Sequence, residues 1–254
     1  MHPLRLSIVT YNIWLTQRWD VRAPALRGFL QRFDPDILCL QELQQTSRDF
    51  IDGVLDSHRR VDDAHPGWTS ESNIYWRDSL FTKVEHGDED ADIPDGKRRL
   101  FWARLQVRDT DRTLLVATAH LTSQRNKIEC ETGQSPRVDQ IRRIIAALQR
   151  LNDPGEPLFF MGDMNDPVHP PRLLQEAGYP SCFASLGIQA PPTYQCYPTA
   201  DVPPGNRVVN QCIDWLVANE HARAVAATVP HFYLKDAAPS DHWPVQAVYE
   251  IGSA

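Results

Sequence analysis

Leu100-Phe101-Trp102-Ala103-Arg104-Leu105-Gln106-Val107 is followed by Leu114-Leu115-Val116-Ala117-Thr118-Ala119-His120, with no helical stretch between them. Both runs are short, apolar and rich in β-branched or aromatic residues, as strands are. Runs of the same kind lie at residues 4–10, 37–40, 73–76, 158–161, 213–217, 222–229 and 243–251. Helical spacing is found at 23–33, 47–58, 136–151 and 171–177. The segment 136–151 is the clearest. Val138, Ile141, Ile144, Ile145, Leu148 and Leu151 share one face and Arg142, Arg143 and Arg150 the other. Strict alternation of strand and helix would predict one parallel sheet. The consecutive strands between residues 73 and 120 predict antiparallel pairing and two sheets instead. Two polar stretches are expected to be surface loops. One is 85–99, with its tract Gly87-Asp88-Glu89-Asp90-Ala91-Asp92, and the other is the Pro-rich 195–210.

The chain has 254 residues, 42% hydrophobic and 23% charged, which fits one domain spanning 1–254 with a sizeable core. A formal net charge of −7 argues against a protein whose main task is to coat nucleic acid. It leaves room for a nuclease, because a local basic cleft or a bound cation can supply positive charge. The five cysteines, Cys39, Cys130, Cys182, Cys196 and Cys212, are odd in number and form no CxxC. They read as free thiols of a reducing compartment. The first ten residues lack a signal-peptide layout, and no apolar run is long enough to span a membrane. The expectation is a soluble, intracellular, cytoplasmic monomer.

Several strands run straight into polar residues able to coordinate a cation or move a proton. Asn12 ends the first, and its amide suits a metal, a phosphate oxygen or a turn. Gln41-Glu42 ends the second; a glutamate there needs either a salt bridge or a hard cation. His120 ends another, as a hydrogen-bonded core histidine or a catalytic one. In Gly162-Asp163-Met164-Asn165 the glycine permits close approach, and residues two apart in an extended chain point the same way. Asp163 and Asn165 can thus converge on one water, while Asp166 suits the cap of the following helix. Asp214 is flanked by Ile213 and Trp215 and needs a partner if buried. If its strand lies beside the one opened by Ser240-Asp241-His242, Asp214 can accept from His242 and fix its tautomer.

Thr10-Tyr11-Asn12, Leu40-Gln41-Glu42, Thr118-Ala119-His120-Leu121, Gly162-Asp163-Met164-Asn165, Ile213-Asp214-Trp215 and Ser240-Asp241-His242 occur in this order across nearly the whole chain. In this the sequence resembles the endonuclease/exonuclease/phosphatase superfamily of DNase-like nucleases, 5′-tyrosyl-DNA phosphodiesterases, deadenylases, sphingomyelinases and inositol-polyphosphate 5-phosphatases. The resemblance implies an α/β (α+β) four-layer sandwich: two mixed β-sheets packed face to face, with helices outside. It implies Mg²⁺ or Mn²⁺ near Glu42, with Asn12, Asp163 and Asp241 close by. Asp163 and Asn165 would position the attacking water. His242, oriented by Asp214, would act as base or bind phosphate, and His120 would stabilise the pentacovalent phosphate. No Ser or Cys nucleophile is required, and neither a G-x-S-x-G elbow nor a P-loop is present.

Thr118 to Arg125, Arg137, Gln140 and the aromatic Trp243 after His242 look like the 5′-tyrosyl-DNA phosphodiesterase branch. The Asp166-Pro167 pair departs from it, because that branch carries a basic residue there. Arg125, Tyr194 and Trp243 are the candidate substrate-binding residues, with Tyr194 suited to stacking. Nucleic acid, at ends or single strands, is the expected substrate. The alternatives are a phosphoester of a small molecule or lipid headgroup, and an inactive binding module on the same scaffold.

Overall fold

Eleven strands form two sheets among the residues that the computed structural model describes, 3–124, 126–194 and 211–252. The first sheet holds β1 (Leu4–Asn12), β2 (Ile37–Gln41), β3 (His58–Arg60), β4 (Ser72–Arg77), β10 (Ala222–Thr228) and β11 (Val245–Ile251). Its order is β10-β11-β1-β2-β4-β3. The second holds β5 (Phe81–Glu89), β6 (Leu100–Val107), β7 (Thr113–Thr118), β8 (Leu158–Asp163) and β9 (Asp214–Ala218), in that order. Both are mixed: β1 runs parallel to β2 and β7 parallel to β8, and every other pairing is antiparallel. The two mixed sheets expected from the sequence are therefore present. They face each other, with β1 across β8 and β9, β2 across β7 and β8, and β4 across β6 and β7.

Strand alternation explains the layers. On β1, Leu6 and Ile8 point between the sheets, while Val9 and Tyr11 point outward. On β2, Ile37 and Cys39 face inward and Leu38 and Leu40 outward. The outward row is covered by α1 (Trp19–Phe33) and α2 (Gln45–Val54), through Leu26, Phe29, Leu30 and Ile51. On the other side α5 (Arg137–Leu151) and α6 (His169–Glu176) pack together, and Ile141, Ile144, Leu148 and Leu174 join the main core. The inter-sheet core closes through contacts such as Phe159 on Tyr249, with ring centroids 5.0 Å apart. Each such fully buried side chain contributes roughly 1.5–3 kcal/mol. The short helices α3 (Pro66–Ser70), α4 (Lys127–Thr132) and α7 (Cys182–Ser185) fill the connections. No described helix is long and apolar enough to cross a membrane.

The sequence expectations need correcting in two places. The helix expected at 47–58 stops at Val54, and His58 opens β3 with its ring 2.7 Å from the Pro35 carbonyl. The loop expected at 85–99 begins as strand, through Glu89. β5 continues to Glu89 and pairs with β6, hidden from pattern reading by the charges of a sheet edge. Its acidic tract is matched by arginines: Asp88 with Arg99, Glu89 with Arg150 at 2.8 Å, and Asp92 with Arg143 at 3.6 Å. The Pro-rich stretch 195–210, Cys196 and Arg125 lie outside the described residues. The other four cysteines are free thiols, as read from the sequence.

Candidate functional site

The inward rows all turn polar at the same end of the sandwich. β1 continues past Leu6 and Ile8 to Thr10 and Asn12, β2 to Gln41, β8 past Phe159 and Met161 to Asp163, and β9 begins at Asp214. Gln41 donates to Thr118 Oγ1 at 3.0 Å and sits 3.1 Å from Thr10 Oγ1, a polar floor that separates the apolar core from the carboxylates. Gly162 lets the sheets' loops meet here. It has φ +150, and a Cβ on it would lie 1.9 Å from the Ala119 carbonyl oxygen. Only glycine lets β8 pass that backbone so closely. Two candidate site residues are held in the left-handed region, Glu42 at φ 55 and Asn165 at φ 51. Such residues store strain that the surroundings must hold, of order 1–3 kcal/mol each.

Asp163, 1% exposed, is the hub. Its Oδ2 accepts from Asn12 Nδ2 at 3.0 Å and lies 3.3 Å from His120 Nε2 and 3.8 Å from His242 Nε2. Its Oδ1 accepts the Asn165 backbone N–H at 2.9 Å, and the Asn165 amide donates to Leu121 O at 3.0 Å.

Each imidazole is oriented through Nδ1 by a buried carboxylate. His242 donates to Asp214 Oδ2 at 2.9 Å, and His120 to Glu71 Oε1 at 2.8 Å. Burial opposes protonation of His242, but Asp214, Asp163 and Asp241 outweigh it and hold its pKa well above the usual imidazole value. Burial likewise opposes protonation of His120; Asp163 and Glu71 raise its pKa and Arg98 works against them. Burial raises Asp214, with His242 pulling the other way. Thr193, fully buried, accepts the backbone N–H groups of Ile213 and Asp214 at 3.0 and 3.1 Å and so fixes where β9 starts.

On the side of Asn12, the amide donates to Glu42 at 3.3 Å while its Oδ1 accepts the Trp14 backbone N–H at 3.0 Å. Asn12 thus presents donors that bridge Glu42 and Asp163, and its oxygen is committed. Asp241 is 8% exposed; burial pushes its pKa up to about 6, with His242 and Arg22 opposing and Glu42 adding to the rise. Ser240 donates to the Asn12 carbonyl at 2.7 Å and accepts the His242 N–H at 3.2 Å, tying the two walls together. Buried carboxylates without enough positive charge call for a hard cation, and the oxygen-rich donors of Glu42, Asp163 and Asp241 fit one. Asp163, Asp214 and His242 also bring one ligand atom each within 4.8 Å of one another. In that trio His242 Nδ1 and Asp214 Oδ2 are engaged with each other, while Asp214 Oδ1 is buried without a hydrogen-bond partner among the described residues.

Of the candidate substrate contacts, Tyr194 packs on His242 with ring centroids 4.7 Å apart. Trp243 is a correction. It is 1% exposed, stacked on His231 at 4.6 Å with Tyr233 at its edge, and packs the chain under the site instead of facing a substrate. Asp166 stands two residues ahead of Val168, the N-cap of α6, and accepts the Val168 and His169 N–H groups at 2.8 and 3.0 Å, an Asx turn leading into the helix. Sequence reading missed Glu71 and Thr193. Glu71 stands two residues before the run 73–76, and Thr193 stands beside Tyr194; a polar residue next to a strand boundary was the available signal.

The profile described as Endonuclease/Exonuclease/phosphatase family matches residues 9–242. None of the curated proteins matches the sequence. Among solved structures, an endonuclease/exonuclease/phosphatase family protein from Bacteroides thetaiotaomicron is 18% identical, with all of both chains covered and a TM-score of 0.79. A mannosyl-6-phosphatase from Bacteroides thetaiotaomicron is 17% identical over 96% of this chain and 99% of its own, with a TM-score of 0.77. D. rerio TDP2, complexed with single strand DNA product, is 19% identical over 96% and 98%, with a TM-score of 0.76. These likenesses establish the sandwich fold.

Proposed function

The chain belongs to the Endonuclease/Exonuclease/phosphatase family, whose members are in general metal-dependent phosphoester hydrolases, and from that premise we propose a Mg²⁺- or Mn²⁺-dependent phosphodiesterase acting on nucleic acid. The favoured substrates are ends or single strands. The observation that carries the reading is the meeting of Asn12, His120 and His242 on one buried carboxylate, Asp163. A serine or cysteine nucleophile is not needed for this chemistry. Asp163 accepts a proton from the attacking water, and the Asn165 amide beside it helps to orient that water. His242 is held in one tautomer by Asp214, and its raised pKa makes it a donor to a non-bridging phosphate oxygen. His120, held by Glu71, donates from the opposite wall. Glu42 and Asp241, with Asp163, would hold the cation, and Asn12 would keep two of these carboxylates aligned. The bound cation would neutralise charge that develops on the phosphate and on the leaving oxygen.

Asp163→Asn or His242→Ala should abolish Mg²⁺-dependent hydrolysis of bis-p-nitrophenyl phosphate while the circular dichroism spectrum is retained. Unchanged turnover in either variant sinks the mechanism. A panel of single-stranded DNA, RNA, 5′-phosphotyrosyl DNA, sphingomyelin and inositol phosphates then tests the substrate. No cleavage of nucleic acid removes the favoured class. The second reading, a small-molecule or lipid-headgroup phosphoester, is favoured by the net charge of −7, and it predicts turnover confined to the last members of that panel. An inactive binding module fits least, because every position the chemistry needs is filled.

A further inference from the structure

Three arginines approach the site, and their hydrogen bonding divides them. Arg22 is 3% exposed and donates to the carbonyls of Gln17, Ile13, Pro239 and Trp14 at 2.6, 2.9, 2.5 and 3.0 Å. Arg137 is 2% exposed and donates to Glu129, Thr122 O and Asp166 at 2.5, 3.0 and 3.3 Å. Both are almost wholly buried and engage every guanidinium nitrogen in holding loops.

Arg98 differs. It stands on the connection between β5 and β6, with its side chain 21% exposed. Its contacts are Nε to Glu71 Oε1 at 3.4 Å, Nε to Asp95 Oδ2 at 3.8 Å, and Nη1 to Leu121 O at 3.5 Å. All lie beyond the ordinary range of about 2.7–3.2 Å for N–H···O bonds. Its Nε is buried without a hydrogen-bond partner among the described residues. A guanidinium carries five donors in a fixed fork and stays charged. Leaving it so poorly satisfied in a partly closed place is costly unless something else fills the fork.

The position says what. Glu71 Oε1 also receives His120 Nδ1, and Leu121 O also receives the Asn165 amide. Arg98 therefore abuts the two acceptors that also hold His120 and Asn165. Glu71 and Asp95 both lie against Nε, and Nη1 reaches only the Leu121 carbonyl at 3.5 Å, so the Nη edge of the fork is the part an incoming anion would meet. We propose that Arg98 forms a subsite for a second phosphate of the substrate, next to the scissile one on the His120 side. The inference rests on the phosphodiesterase reading and narrows it to substrates that carry a neighbouring phosphate, as nucleic acid does. It also supplies a local positive charge that a chain of net charge −7 needs in order to hold a polyanion.

The test is calorimetric titration of the full chain with Ca²⁺ in place of Mg²⁺ to suppress turnover. The probes are thymidine 5′-monophosphate and thymidine 3′,5′-bisphosphate. Wild-type protein should bind the bisphosphate at least about tenfold more tightly, as one charge-assisted fork contact supports. Arg98→Gln should bring the two affinities to within about twofold, and Arg98→Lys, which keeps charge but not the fork, should fall between. Taking the ratio within each variant cancels any disturbance that reaches His120 through Glu71. Equal affinities in wild type, a preserved ratio in Arg98→Gln, or binding of neither probe overturns the subsite. The ratio does not depend on turnover, so a chain that shows it but hydrolyses no phosphodiester overturns the activity and leaves the subsite standing.

Discussion

The two imidazole–carboxylate pairs are built from the same parts and differ in their surroundings. His242–Asp214 and His120–Glu71 have nearly equal bonds, 2.9 and 2.8 Å, and both rings turn Nε2 toward Asp163. Asp214 is part of a strand, anchored by Thr193 and by its register opposite Asp163. Glu71 is the residue that closes the short helix α3, and it shares its oxygen with Arg98. The arginine opposes proton uptake at His120, whereas three carboxylates dominate at His242. Both imidazoles are pushed toward the protonated form, His242 further than His120. Rigid support and charge balance, more than bond length, set what each histidine can do.

The largest test breaks the rigid pair. Asp214→Asn should lower kcat on bis-p-nitrophenyl phosphate by about 10³–10⁴-fold, the scale of losing an orienting carboxylate behind a catalytic imidazole. A loss under tenfold means that His242 does not depend on Asp214. Glu71→Gln should cost less, about 10–100-fold, because Arg98 already opposes proton uptake at His120 and less charge support is lost there. Equal losses in the two variants erase the distinction between the pairs.

The pH dependence of stability sharpens it. A histidine whose folded pKa is raised stabilises the fold fully below its unfolded value, about 6.5, and that stabilisation is lost as pH rises through the folded value. In EDTA, the urea midpoint should therefore fall as pH rises above about 6.5. His242→Ala should flatten that slope more than His120→Ala does. A steeper dependence left in His242→Ala than in His120→Ala reverses the assignment. Thr193→Val gives the smallest effect, about 1–3 kcal/mol in urea unfolding, because it strips the acceptor from two buried N–H groups. Its kcat should fall with the loosened Asp214, while the Glu71 pair is untouched.

How legible each pair was in the sequence follows from the same contrast. Asp163, Asp214 and His242 sit at the ends of apolar strands, where alternation fixes the direction of a side chain and a buried charge stands out. Asn12 and Glu42 were legible for that reason too, though the donor role of Asn12 came only with its bond to Trp14. Glu71 follows no apolar run. Its aim depends on the α3–β4 turn, which tertiary packing decides. β5 was hidden because Lys83, Glu85, Asp88 and Glu89 give an edge strand the look of a loop. Trp243 was misplaced because nothing local told of His231 and Tyr233 folding over it.

A single oxygen, Asp163 Oδ2, is shared by groups from both sheets. It receives Asn12 from the end of β1 and faces His242 ahead of β11 and His120 beyond β7. One residue gained or lost within any of these strands moves its end by about 3.3 Å, more than a hydrogen bond tolerates. Strand length here is under chemical as well as packing control. Tolerance to insertion should therefore be polar along the molecule. The turn at 108–112, at the far end, takes no part in that oxygen's contacts and should accept insertions, while the near end is bound to a fixed count.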